Sequence, residues 1–162
     1  MDIKDWHDFF IATAGSAAAL TGLIFVGVSI NIAKILSSPK LPDRAWISLI
    51  LLLNILIVSI LILIPQQSFF TIGIENLVIA LTVYIMTVTN DVTIYKNTEP
   101  PYKQRYRIHV ILNQLAVFPY LIAAATILMG NENGLYWMVP GIAFSFIKAV
   151  LDAWVLLVEI NR

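Results

Sequence analysis

The sequence predicts an all-α integral membrane helical bundle, a single transmembrane domain over residues 1–162 with five transmembrane helices, and three observations carry that reading. Of the 162 residues, 59% are hydrophobic and only 12% charged, with a mean hydropathy of +0.85; an ordinary soluble domain has about 45–50% apolar and about 25% charged residues. Five apolar stretches reach about 18 residues or more, and a bilayer core about 30 Å thick needs about 20 residues at a rise of about 1.5 Å each. The basic loop residues are confined to alternate loops.

The predicted spans cover about residues 9–30, 46–64, 72–89, 108–129 and 135–158, which leaves no room for a soluble domain. A cleaved signal peptide is the rival reading of the first. Such peptides open with a positive region and place small residues after the apolar run, whereas "MDIKDWHD" is net acidic and "AGSAAA" precedes "LIFVGV". The first helix is therefore expected to be retained. The absence of cysteine excludes disulfides, thiolate metal ligands and cysteine nucleophiles together.

Orientation follows from charge. The first loop holds Lys34, Lys40 and Arg44, and the third holds Lys96, Lys103, Arg105 and Arg107, while the second and fourth hold no Lys or Arg. Basic residues next to spans accumulate on the cytoplasmic side, so the N-terminus is expected outside and the C-terminus in the cytoplasm. Trp6, Trp46, Tyr95, Tyr102, Tyr106, Tyr136 and Trp137 fall near the expected interfaces, where amphipathic rings settle.

The first span carries a small-residue ladder, Ala14, Ala18 and Gly22, repeated by Ala12 and Ser16 and by Gly15 and Ala19. Small side chains let helices approach closely where lipid supplies no hydrophobic drive. This helix is accordingly expected to be the most buried, packing within the monomer, at a subunit interface or around a pore. The second span is the most lipid-like and stops at Pro65; Ser48 and Ser59 share nearly one face, and Asn54 is expected to hydrogen-bond a neighbouring helix. Glu75 and Asp91 mark the ends of the third span. In the fourth, Asn113 and Gln114 precede Pro119, which frees a backbone carbonyl and predicts a kink.

The fifth span contains two opposite charges, Lys148 and Asp152. Its twelve Leu, Ile, Phe and Val side chains favour insertion by about 4–7 kcal/mol, which the two charges roughly cancel at about 5–7 kcal/mol. Surroundings must therefore stabilise the pair. The i, i+4 spacing lets Lys148 and Asp152 meet on one face, and Glu159 extends that stripe toward the cytoplasmic edge. Intramembrane ionisable groups face a bundle interior or a wet cavity and count by default as functional, although a buried ion pair also serves to pin packing.

In the third loop, Lys103, Arg105 and Arg107 stand beside Tyr102 and Tyr106, a cluster suited to anionic lipid headgroups. Charges held against a bilayer first signal topology, so no nucleic acid partner is expected. There is no glycine-rich phosphate loop, no HExxH and no GxSxG. His7 and His109 fall on opposite sides of the membrane by the charge map, and Asp5, His7 and Asp8 give weak ligand geometry for a metal. No enzyme activity, catalytic residue, cofactor or metal is expected.

The stretches "AAALTGLIFVGVSINIAKIL" and "GLYWMVPGIAFSFIKAVLDAWVLLVEINR" resemble parts of an uncharacterised family of small bacterial polytopic integral membrane proteins. The resemblance implies the bacterial cytoplasmic (inner) membrane and adds no functional residue. The expected function is a small oligomeric, channel-like or transport-related membrane protein, with the stripe of Lys148, Asp152 and Glu159 bordering a wet path. The alternative is a non-transporting scaffold or regulator of a membrane protein partner such as a protease complex. Membrane lipids and further copies of the chain are the expected partners.

Overall fold

The computed structural model describes residues 6–37, 41–97 and 103–160, with the side chains of Asn97, Arg105, Glu132, Glu159 and Ile160 outside that description. Tyr102, Lys40 and Asp5, all singled out above, also lie outside the described residues. The chain forms α1 (His7–Ile30), α2 (Ile32–Ser37), α3 (Leu41–Ile62), α4 (Phe69–Asn97), α5 (Lys103–Leu128), a 3-10 helix (Glu132–Trp137) and α6 (Met138–Ile160). Among the described residues there is no strand. Five of the helices are long and apolar enough to cross a membrane, which makes the fold an all-α helical bundle of the expected class.

Local chemistry sets the ends. Pro42 and Asp43 open α3, where a first-turn proline loses no helical bond and an acid suits the helix dipole. Ser68 caps α4 by accepting from the backbone N–H of Thr71 at 3.1 Å. Gly130 closes α5 at φ +80°; its N–H bonds Ile127 O at 2.9 Å and that of Asn131 bonds Thr126 O at 3.1 Å. This paired 5→2 and 6→1 pattern satisfies the last carbonyls and needs a residue that tolerates the left-handed region. The Asn131 side chain then accepts from Asn133 N–H and caps the 3-10 helix.

The chain divides into two compact units, one of Met1–Pro65 with Ser145–Arg162 and the other of Gln66–Phe144. In the first, α1 packs on α3. Ile35 of α2, Leu41 and Ala45 of α3 and Leu156 of α6 form a buried cluster there, with Val28 against it. In the second, α4 packs on α5. The buried face of α4 carries Ile72, Asn76, Ala80, Val83, Thr87 and Asp91, a repeat of three to four residues. On α5, Ala116, Tyr120, Ala123 and Ala124 are buried, and Gly73 of α4 lies against Ile127 and Leu128, with no room there for a side chain.

The outward surface is apolar. Leu23, Phe25, Ile111, Trp154 and Leu157 are all exposed, while Lys148, Asp152, Asp91 and Asn76 are buried. That inversion is the arrangement a lipid environment stabilises, since hydrocarbon gives no reason to hide Leu and strong reason to hide charge.

Two expectations are corrected. The first helix is not the most buried: 22% of the apolar stretch of α1 is buried against 61% of α3. Ala14 is half-buried and Ala18 and Gly22 are exposed, and a Cβ added at Gly15, Gly22 or Gly27 would meet nothing within 4 Å. The face of α1 that packs instead carries Phe10, Thr13 and Ala17. The "most lipid-like" helix is the most buried because large aliphatic groups bury well in either environment, and helical apolarity alone does not choose between them. The third span also runs past Asp91, as a 29-residue helix about 43 Å long.

Candidate functional site

In the first unit, Lys148 and Asp152 occupy one face of α6 together with buried Ser145 and Ala149, while Ile147, Val150 and Leu151 are exposed on the others. The Lys148 ammonium donates to Asp152 Oδ2 across one helical turn. Both residues are almost wholly buried, at 3% and 1% exposure. A second cation joins them from α3: Arg44 Nη1 lies 3.6 Å from Asp152 Oδ1. Its side chain is 27% exposed, so it links the buried carboxylate to the protein surface. The packing of Leu41 and Ala45 against Leu156 brings this end of α3 to α6.

The site is thus a carboxylate between two cations, one buried and one at the rim. Nearby on α3, Ser48 Oγ donates back to Arg44 O at 2.9 Å, and Ser59 shares a 2.9 Å hydrogen bond with Thr13 of α1. Asn54 is buried, but neither of its amide atoms has a hydrogen-bond partner among the described residues, contrary to the interhelical bond expected of it.

The second unit holds another polar cluster. Asp91, only 4% exposed, accepts from Asn113 Nδ2 at 2.8 Å and from Tyr106 Oη at 3.2 Å, both at Oδ1. Asn76 donates to Tyr120 O at 3.0 Å, tying α4 to α5 beside Pro119, which sits inside α5 without ending it. Gln114 is half-buried. Lys103 Nζ stands 5.2 Å over the Tyr95 ring, and Arg107 is exposed. At the start of α1, His7 Nδ1 and Asp8 Oδ1 lie 3.8 Å apart on the exposed surface.

Of the residues singled out in the sequence, Lys148 and Asp152 are brought together, and Asn113 acquires a carboxylate partner. In the sequence Arg44 is a topology signal and Asp91 a span end. The signal for Asp91 was available in the three- and four-residue steps from Asn76 through Ala80, Val83 and Thr87. Nothing local marked Arg44. Compared with protein-family models, curated proteins and solved structures, the chain matches none.

Proposed function

We propose that this chain is a small oligomeric, transport-related protein of the bacterial cytoplasmic membrane, in which Arg44, Asp152 and Lys148 serve an ion path. The observation that carries the reading is the buried carboxylate between two cations within helices long enough to cross a bilayer. Removing charge from water is expensive, and an apolar pair of similar volume packs as well or better. Retained intramembrane charge therefore points to function. An anion beside Lys148 would compete with Asp152 for its ammonium and leave the carboxylate to Arg44, which is part-exposed. The basic first and third loops support an N-terminus outside and a C-terminus in the cytoplasm.

Purified protein in liposomes should pass protons or small ions, with the flux changed by Asp152→Asn and retained in Asp152→Glu. Flux equal to that of empty vesicles for protons, sodium, potassium and chloride would remove the reading. A C-terminal reporter active only outside the cytoplasm would reverse the orientation. The second reading is a non-transporting scaffold or regulator of a membrane partner such as a protease complex. It is favoured by the open face of α1 beside Gly15 and Gly22, where a foreign helix could approach closely. Crosslinking in native membranes that captures only copies of this chain would count against it.

A further inference from the structure

A groove of about 330 Å³ lies between the adjoining ends of α4 and α5 in the second unit. Its wall is almost wholly apolar although Lys96 and Arg107 are part of it, so these two side chains contribute their alkyl stems and hold their charged heads at the mouth. Val92 of α4 and Val110 and Ile111 of α5 line it about one helical turn deeper. Asp91 also borders the groove, but its carboxylate is buried and accepts from Asn113 and Tyr106, which ties the two helices together there.

The two cations stand where the apolar spans end. Those spans run over Phe69–Lys96 and Tyr106–Leu128, so Lys96 closes one and Arg107 lies one residue inside the start of the other. Tyr95 and Tyr106, with ring centroids 6.4 Å apart, mark the same level, and Lys103 Nζ lies 5.2 Å over the Tyr95 ring. Tyrosines and cations at a span end are the side chains that settle among lipid headgroups. Both Lys96 and Arg107 are exposed, and neither is in an ion pair among the described residues.

We propose that this groove binds an anionic phospholipid, with the phosphate at Lys96 and Arg107 and an acyl chain against Val92, Val110 and Ile111. Charge and apolarity are arranged in the order the ligand needs them. Cations at the mouth meet the phosphate, the guanidinium as a two-pronged donor and the ammonium as a point charge, and the apolar wall below asks no hydrogen bond of the chain. A basic recess between membrane helices is a setting in which anionic headgroups are held. A zwitterionic lipid carries the same phosphate but adds a quaternary ammonium, which Lys96, Arg107 and Lys103 repel. The groove of about 280 Å³ between α1 and α6 supplies the contrast: its wall is made of apolar residues such as Leu20, Ile24 and Trp154, with no charged side chain among the described residues. It should take acyl chains without regard to headgroup.

The test uses the full chain in phosphatidylcholine vesicles that carry a trace of either phosphatidylglycerol or phosphatidylcholine with a photoreactive diazirine in the acyl chain, and adducts are mapped by mass spectrometry. Labelling at Val92, Val110 and Ile111 is expected to be several-fold higher with phosphatidylglycerol, while labelling in the groove between α1 and α6 should be equal for the two lipids. The exposed-site double variant Lys96→Gln, Arg107→Gln should lose the preference with its circular dichroism unchanged, and Lys96→Arg should keep it. Equal labelling of the α4–α5 groove by both lipids in the wild-type chain would overturn the proposal, as would an undiminished preference in the double variant. Displacement of the labelled lipid by soluble glycerol phosphate would also overturn it, since the groove would then be a site for a free phosphate ester.

Discussion

Asp152 contacts Lys148 from its own helix and Arg44 from α3, and its burial makes the loss of a partner severe. Asp152→Leu should destabilise the protein by about 3–5 kcal/mol, because it removes the buried carboxylate to which the buried Lys148 ammonium donates. The Lys148→Met, Asp152→Leu double variant should recover most of that loss, since Arg44 at the rim can turn outward. Unfolding in mixed micelles, measured for both singles and the double, checks the sign of the coupling. A gentler pair is Thr13 with Ser59: the cycle built from Thr13→Val and Ser59→Ala should give a coupling of about 0.6 kcal/mol, the usual size for hydrogen bonds between membrane helices. The Lys148–Asp152 contact was legible because i, i+4 on one helix is geometry the sequence already contains. Arg44 was not, because its partner lies far along the chain and only the packing of α3 on α6 brings them together.

At the scale of the helix, the small residues of α1 and the glycine of α6 play opposite parts. A Cβ at Gly141 would lie 2.8 Å from the ring of Tyr120, which is fully buried. Gly141→Ala should therefore destabilise the fold by about 1–3 kcal/mol through overpacking. Gly22→Ala meets open space and should be neutral or stabilising by up to about 1 kcal/mol, the helix preference for Ala over Gly. Thermal unfolding followed by circular dichroism separates the two. Both glycines look alike in the sequence, and the ladder around Gly22 looked the better packing motif. The buried face of α4 was equally readable in principle, through Asn76, Ala80, Thr87 and Asp91, but an acidic residue at the edge of an apolar window is easily mistaken for its end.

At the scale of the whole molecule, the surface is rich in exposed Leu, Ile, Phe and Trp side chains, which need lipid or protein against them. If copies of the chain assemble through the open face of α1, Ala18→Leu should abolish crosslinked oligomers in membranes while leaving the unfolding transition of the isolated chain unchanged. Equal crosslinking of wild type and variant would place any copy interface elsewhere.

The fold class, the number of long apolar helices and the Lys148–Asp152 pair within α6 were readable from the amino acids alone. These depend on composition, on helical periodicity and on the thickness of a bilayer, all of which act locally along the chain. Which helices are buried, the place of Arg44 beside the Lys148–Asp152 pair, and the hold of Asn113 and Tyr106 on Asp91 emerge only when the helices pack. In lipid, apolarity no longer distinguishes inside from outside. The choice passes to shape and to hydrogen bonds between helices, and these exist only once the helices have met.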